Sequence, residues 1–189
     1  MKTLKKVFFT ILVLLIIGIL LRGTLYRSIV AYESIGQRMN YEITNDKLTQ
    51  YINENCPGKD SADIKEIIKT SLSATSKILN FTFSKNDRNP NKLIDSQTAN
   101  CVGYTAFFST VCNYQLKKHN LSEEWIAQPE IGQIYVFGVN IHRYFNSSFF
   151  KDHDFAIIKN KKTKKTYAVD PSIYDCLYID FVTLKDNPQ

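Results

Sequence analysis

The chain has 189 residues, of which 44% are hydrophobic and 13% aromatic, enough for one packed domain with an accessory segment but not for two full domains. Its formal net charge is +6 at pH 7, but the basic residues concentrate before the first acidic residue, Glu33. These early basic residues are Lys2, Lys5, Lys6, Arg22 and Arg27. The chain from Ser28 onward is close to neutral, which argues against a nucleic-acid partner.

A targeting segment opens the chain, because residues 7–21 are apolar except for Thr10 and Gly18 and follow a cluster of lysines. As a helix, this stretch rises about 22 Å, so flanking residues must contribute to crossing a hydrocarbon core of about 30 Å. Residues 22–28 contain no small-x-small cleavage motif. We therefore predict an uncleaved signal anchor over residues 1–27. The lysines favour a cytoplasmic N-terminus, which predicts a single-pass protein of the cell membrane with an extracytoplasmic C-terminal domain.

Residues 28–60 are mixed and polar, and are interpreted as a juxtamembrane segment whose fold the pattern does not define. A breaker cluster ends it, after which Asp60 or Ser61 is predicted to cap a first domain helix. The apolar face of that helix consists of Ile64, Ile67, Ile68, Leu72, Ile78 and Leu79. The predicted domain spans residues 61–189.

A second helix is predicted to begin at Thr98 or Asn100, both good N-cap residues, and to end near Lys118. Beyond Pro129 the sequence becomes rich in β-branched and aromatic residues, which is typical of strands. Helices followed by strands indicate an α+β domain with helices packed on an antiparallel sheet.

The four cysteines show neither C-x-x-C spacing nor a zinc-site pattern, so no metal or other cofactor is predicted. Outside the cytoplasm a disulfide is an open alternative, and Cys56 with Cys176 is the first pair to consider. Cys112 falls in an apolar helical row and is interpreted as a core residue.

Cys101 lies in the first turn of the second predicted helix, where backbone N–H groups and the helix dipole stabilise an anion. A thiolate there is a nucleophile toward carbonyl carbon. The competing interpretation is a small buried residue, since cysteine is among the most buried residue types.

Of the three histidines, His119 is predicted to be solvated at a helix end, and His142 to be a partly exposed loop or strand residue. His153 differs, because residues 153–159 and 165–170 have the pattern of two strands joined by a lysine-rich turn. A hairpin centred on that turn places His153 directly across from Asp170. The alternatives are an ordinary turn carboxylate and a surface histidine. Together with Cys101, however, the pair predicts a thiol, a base and an orienting acid.

These residues resemble the transglutaminase-like superfamily. The similarity covers about residues 61–173: Asn100-Cys101-Val102-Gly103-Tyr104 resembles its cysteine motif, His153-Asp154-Phe155 its histidine motif, and Tyr167-Ala168-Val169-Asp170-Pro171-Ser172 its aspartate motif. Asp154 stands where a small residue is commoner. The resemblance implies a papain-like core and a metal-free reaction in which Cys101 attacks an amide carbonyl, His153 moves the proton and Asp170 orients His153. Gln97 is the candidate oxyanion donor.

The sequence therefore predicts a membrane-tethered thiol enzyme that acts on peptide or glutamine amides of a protein or peptide substrate, by hydrolysis or by acyl transfer. The alternative is a catalytically inactive transglutaminase-like module that binds a ligand at the membrane.

Overall fold

The structure, a computed structural model, describes residues 2–57 and 63–185. The chain opens with helix α1 (Lys2–Ile29), which continues directly into strand β1 (Val30–Gln37). The predicted capping residues Asp60 and Ser61 lie outside the described residues.

Five further helices and seven further strands follow within the described residues. The helices are α2 (Asp46–Asn55), α3 (Ile64–Ile78), α4 (Pro90–Ser96), α5 (Cys101–Lys118) and α6 (Pro171–Leu177). The strands are β2 (Asn80–Phe81), β3 (Thr98–Ala99), β4 (Trp125–Val136), β5 (Val139–Asn140), β6 (His153–Asn160), β7 (Thr166–Val169) and β8 (Thr183–Leu184). Short 3₁₀ helices cover Ile141–Tyr144 and Ser148–Phe150.

The main sheet has the strand order β7-β6-β4-β1-β8, with β5 paired to β4. Its neighbours are antiparallel except for β1 and β8, which run parallel. The α+β class is therefore confirmed, but the sheet is mixed rather than wholly antiparallel. Because β1 lies inside this sheet, a strand precedes the domain helices and the predicted order of helices before strands was wrong. The predicted boundary at residue 61 separates β1 and α2 from the body in which they pack.

Helices α3 and α5 cover one face of the sheet. Their apolar side chains meet those of β4, β6 and β7 in one cluster that includes Phe108 and Cys112. Cys112 is fully buried, as predicted, and burial raises the pKa of its thiol to about 12. A second cluster joins α2, α4 and α5. The opposite face carries a smaller cluster around Tyr32 and Phe155, against which Tyr26 of α1 packs.

Helix α1 is long and apolar enough to span a membrane. Within Lys5–Ile29, the most apolar stretch of 18 residues has a mean hydropathy of 2.5, and none of it is buried against the protein. The end of this helix nevertheless contacts the folded body: the Arg22 guanidinium donates from Nε to the backbone oxygen of Leu177 at 2.7 Å and from a terminal nitrogen to that of Tyr178 at 3.3 Å. Arg22 therefore caps the C-terminal end of α6, where free carbonyl groups carry partial negative charge.

All four cysteines are free thiols, so the Cys56–Cys176 disulfide considered from the sequence is absent. Cys56 is buried in the cluster of α2, α4 and α5, whereas Cys176 is exposed on α6. Burial raises the pKa of Cys56 to about 11, which makes it an unreactive core thiol.

Candidate active site

Cys101 is the first residue of α5, as the sequence predicted. The helix starts there because the side-chain oxygen of Asn100 accepts hydrogen bonds from the backbone N–H groups of Val102 and Gly103, at 3.1 and 3.3 Å. Gly103 permits the close approach of this first turn to β3, since a Cβ at that position would lie 2.8 Å from Cβ of Ala99. Cys101 is only 7% exposed, at the positive end of an 18-residue helix.

His153 begins β6 and Asp170 directly follows β7. In the observed hairpin Ala156 pairs with Val169, which puts Asp170 across from Phe155 rather than from His153. The predicted register was therefore wrong by two residues. A shift of two keeps every side chain on its predicted face, so His153 and Asp170 are diagonal neighbours on one face. Their side chains meet, with Nε2 of His153 2.6 Å from Oδ2 of Asp170.

The Cys101 side chain lies close enough to the His153 imidazole to raise its pKa. Because Nε2 faces Asp170, the ring nitrogen that remains for the thiol is Nδ1. The structure thus brings together Cys101, His153 and Asp170 in the order that proton transfer from the thiol to the imidazole requires.

The surroundings favour the charged forms of the imidazole and the carboxylate. Burial alone disfavours the imidazolium, but the charge of Asp170, the hydrogen bond with Asp170 and the nearby Cys101 outweigh it and raise the pKa of His153 well above its usual value. For Asp170 burial also opposes the charge, but His153, Ser172 and Tyr32 outweigh it and hold the pKa of this carboxyl below its usual value. The two groups therefore form a buried ion pair.

Asp170 is held by donors at both oxygens. Its Oδ1 accepts from the backbone N–H and the hydroxyl of Ser172, at 3.0 and 2.7 Å, and from the N–H of Ile173 at 3.1 Å. Oδ2 accepts from the hydroxyl of Tyr32 at 2.8 Å as well as from His153. Asp170 is thus the N-cap of α6, and the orientation of its carboxylate is fixed.

Sequence reasoning missed both Tyr32 and Ser172. The Asp-Pro-Ser order contains the signal for Ser172, because a cap residue followed by proline predicts a helix start. No local signal identifies Tyr32, which is separated from Asp170 by 138 positions along the chain.

The N-terminal helix reaches this network. The hydroxyl of Tyr26 lies 2.6 Å from that of Tyr32, which is fully buried and contacts Asp170. Arg22 of the same helix caps α6 at the end opposite Asp170. Helix α1 therefore supports the candidate acid from both ends of α6.

Gln97 is the C-cap of α4, with a left-handed backbone (φ 54°) and an exposed side chain. Its backbone bonds with Leu93 and Asn80 fix the link between α4 and β3. Within the described part of the chain, no hydrogen bond joins its side chain to Cys101 or His153, so the structure does not place this predicted oxyanion donor in the site.

Asp154 points to the other face of β6 from His153, since neighbouring side chains on a strand alternate. It is fully buried and accepts two hydrogen bonds from the guanidinium of Arg38, one of them, from the Arg38 Nη2, at 2.9 Å. Asp154 thus has a structural partner of its own and does not compete with Asp170 for His153.

A cleft of about 420 Å³ lies beside the first two turns of α5. It is lined by Val102 and Ala106 of α5 on one side and by Arg38, Met39 and Pro129 on the other. Val102 directly follows Cys101 in the chain, so the lining of this cleft begins one residue after the candidate nucleophile.

The other two histidines lie outside the Cys101–His153–Asp170 set. His119 is the C-cap of α5 and partly exposed. His142 is only 7% exposed, so its prediction as a partly exposed residue was wrong: the 3₁₀ turn at Ile141–Tyr144 folds its ring inward, and Nδ1 bonds the backbone oxygen of Phe150 at 2.7 Å.

Across residues 2–57 and 63–185, no group of His, Cys, Asp or Glu side chains is arranged to hold a metal ion. Comparisons of the chain with protein-family models, with curated proteins and with solved structures gave no match. The geometry of the site is accordingly the basis for the functional assignment.

Proposed function

We propose that the protein is a membrane-anchored, transglutaminase-like thiol enzyme that hydrolyses peptide or glutamine amides or transfers their acyl group. The observation that carries this proposal is the contact of one imidazole with both a helix-start cysteine and a buried, fully hydrogen-bonded carboxylate. A structural cysteine in a core does not need such a partner.

In the proposed reaction, the proton of the Cys101 thiol has already passed to His153, and the thiolate beside this imidazolium attacks the amide carbonyl carbon to form a tetrahedral oxyanion. When the C–N bond breaks, the imidazolium returns its proton to the departing amine, leaving a thioester on Cys101. Water or a second amine then attacks the thioester while His153 accepts its proton. Release of the acyl product restores the thiolate beside the imidazolium. Asp170 remains charged throughout and stabilises the imidazolium.

The protein contains its own control for thiol activation. Cys176 is exposed and Cys101 nearly buried, so accessibility alone predicts faster alkylation of Cys176. We expect the reverse with iodoacetamide at pH 6, more than two units below the ordinary thiol pKa of about 8.5, because His153 activates Cys101. Peptide mapping by mass spectrometry measures both rates in one sample. His153→Ala should slow labelling of Cys101 and leave that of Cys176 unchanged.

The same mapping separates an enzyme from a binding module. After incubation with a peptide mixture and an acid quench, Cys101 should carry an acyl mass that hydroxylamine removes, as expected for a thioester. A reactive Cys101 that never acquires an acyl group would support the inactive ligand-binding module, and a Cys101 that labels no faster than Cys176 would contradict the proposed site.

We further propose that α1 remains attached as a single-pass anchor, with the N-terminus in the cytoplasm and the folded body outside. This is supported by the contacts of Arg22 and Tyr26 with the body, which cleavage after residue 27 would remove. Intact mass measurement of the purified protein should therefore show residues 22–27, and protease added to intact cells should digest the body. A mature form beginning after residue 27, or full protection from protease, would contradict this topology.

A further inference from the structure

Another cavity, of about 400 Å³, lies between helix α1 and the segment that follows α6. One wall comes from α1, and most of its residues recur at spacings of three and four, which places them on one face of that helix: Leu20, Gly23, Thr24 and Arg27. Arg22 also lines the cavity, and residues 178–181 and Lys69 form the opposite wall. The cavity therefore follows α1 for about 10 Å, the rise from Leu20 to Arg27.

In the proposed membrane topology this cavity lies at the depth of the lipid headgroups. Arg22 is the first charged residue after the apolar run, and at this level α1 contacts the folded body. A folded body stays out of the hydrocarbon core because its exposed polar groups would lose their hydrogen bonds with water. The outer edge of that core therefore lies near Leu20. The rest of the wall extends about 10 Å outward, enough to cover a headgroup region about 5–7 Å thick.

Two arginines of the cavity lack a counter-anion. Lys69 forms an ion pair at 2.9 Å with Asp180, the one carboxylate in the described lining. Arg22 donates only to backbone oxygens. Arg27 is exposed and forms no ion pair among the residues that the structure describes. The lining thus has two guanidinium charges that no carboxylate neutralises.

Gly23 lets these two charges share one turn of α1. A Cβ at position 23 would lie only 3.2 Å from Nη1 of Arg27, so the Arg27 side chain folds back over the preceding turn. That turn carries Arg22 and is nearer the membrane than the Cα of Arg27. Like charges brought together in this way repel each other unless an anion lies between them.

We propose that this cavity binds the phosphate of an anionic phospholipid in the outer leaflet. This inference rests on the proposed membrane topology and is independent of the thiol chemistry. The planar donors of Arg22 and Arg27 match the oxygens of a phosphate group. Exposed Tyr178 adds an amphipathic ring of the kind enriched at headgroup depth, and Leu20 contacts the acyl chains. The bound lipid gives the body a second attachment to the membrane beside its covalent anchor.

Native mass spectrometry of the full-length protein in detergent, titrated with one lipid at a time, tests the site. Dioleoyl-phosphatidylglycerol and dioleoyl-phosphatidylcholine have the same acyl chains and a phosphate each, but only the first has a net negative charge. We expect one phosphatidylglycerol to bind at least fivefold more tightly than phosphatidylcholine. Arg27→Gln should weaken its binding about fivefold, the contribution of one basic residue near an anionic membrane surface. Gly23→Leu retains both charges but fills the cavity, and should weaken it at least as much.

Arg88→Gln is the matched control, since Arg88 is an exposed arginine of the cleft beside α5, whose described lining contains no residue of α1. It removes the same charge and should leave lipid binding unchanged. Equal binding of the two lipids, or a loss with Arg88→Gln as large as that with Arg27→Gln, would overturn the lipid site. Displacement of the lipid by soluble glycerol phosphate at constant ionic strength would show a site for free phosphate instead. Each of these results leaves the topology standing, whereas a mature form that begins after residue 27 would overturn the topology itself.

Discussion

Asp170→Asn is expected to lower turnover by about four powers of ten, the loss that the corresponding change causes in a serine triad. The surrounding donors give the reason. Three donors, from Ser172 and Ile173, surround Oδ1, so the amide oxygen of an asparagine stays there and its NH₂ group faces His153. That group donates to Nε2, which forces the ring proton onto Nδ1. Nδ1 then has no lone pair to accept the thiol proton.

The measurement is the rate of thioester formation on Cys101, with Asp180→Asn as control. Asp180 forms an ion pair with Lys69 and, among the residues that the structure describes, bonds to none of Cys101, His153 and Asp170, so its change should leave the rate unaltered. Since asparagine is as good a helix N-cap as aspartate, the Asp170→Asn variant should fold. In a turnover assay, combining Asp170→Asn with Cys101→Ala should lower the rate no further than Cys101→Ala alone, because the groups act as one unit. A rate near that of the wild type would refute the orienting role of Asp170.

The same variant has a defined pH dependence of stability. The lowered pKa of Asp170 stabilises the fold above the unfolded value of about 3.9, and this contribution is lost as the pH falls. The raised pKa of His153 stabilises the fold fully below the unfolded value of about 6.5, and this contribution is lost as the pH rises. The difference in free energy of unfolding between wild type and Asp170→Asn should therefore be largest between about pH 4 and 6.5. A difference independent of pH would contradict the ion pair.

The parts of the site that could be predicted from the sequence depend on local signals. Asn100 marks a helix start whatever the rest of the chain does, because its side chain satisfies backbone donors two and three residues away. A hairpin likewise brings its two strands together. This is why the contact between the His153 and Asp170 side chains was predicted correctly, although the predicted strand register was displaced by two residues. The turn has a left-handed residue at Lys164, and sequence alone did not reveal this geometry.

The parts that could not be predicted depend on distant segments. Strand β1 has polar Glu33 and Ser34 near its centre and follows an apolar helix, so its pattern does not distinguish a strand from a linker. Its place in the sheet comes from pairing with β4, about a hundred residues later. Tyr32 lies within residues 28–60, the segment interpreted as juxtamembrane, although it is a fully buried partner of Asp170.

Arg38→Met is expected to destabilise the fold strongly although it lies outside the site. Arg38 follows β1 and neutralises Asp154, whose side chain is fully buried, while its own side chain is 25% exposed. Removing one partner of a buried ion pair costs about 3–5 kcal/mol because the other charge stays unpaired. Because Arg38 is partly exposed, we expect the lower end of this range, a loss of about 3 kcal/mol in the free energy of unfolding. The midpoint temperature of thermal unfolding should fall by roughly 10 °C.

Two further variants make this test specific, with thermal and denaturant unfolding as the measurement. Arg88 is an exposed arginine that lines the 420 Å³ cleft beside α5, as Arg38 does. Arg88→Met should lower the free energy of unfolding by under about 0.5 kcal/mol. Replacing both partners, as Arg38→Met with Asp154→Leu, should recover most of the loss, because it leaves no buried charge behind. The loss from Arg38→Met should also shrink at acidic pH, where the orphaned Asp154 takes up a proton. An effect of Arg38→Met equal to that of Arg88→Met would show that the ion pair does not support the fold.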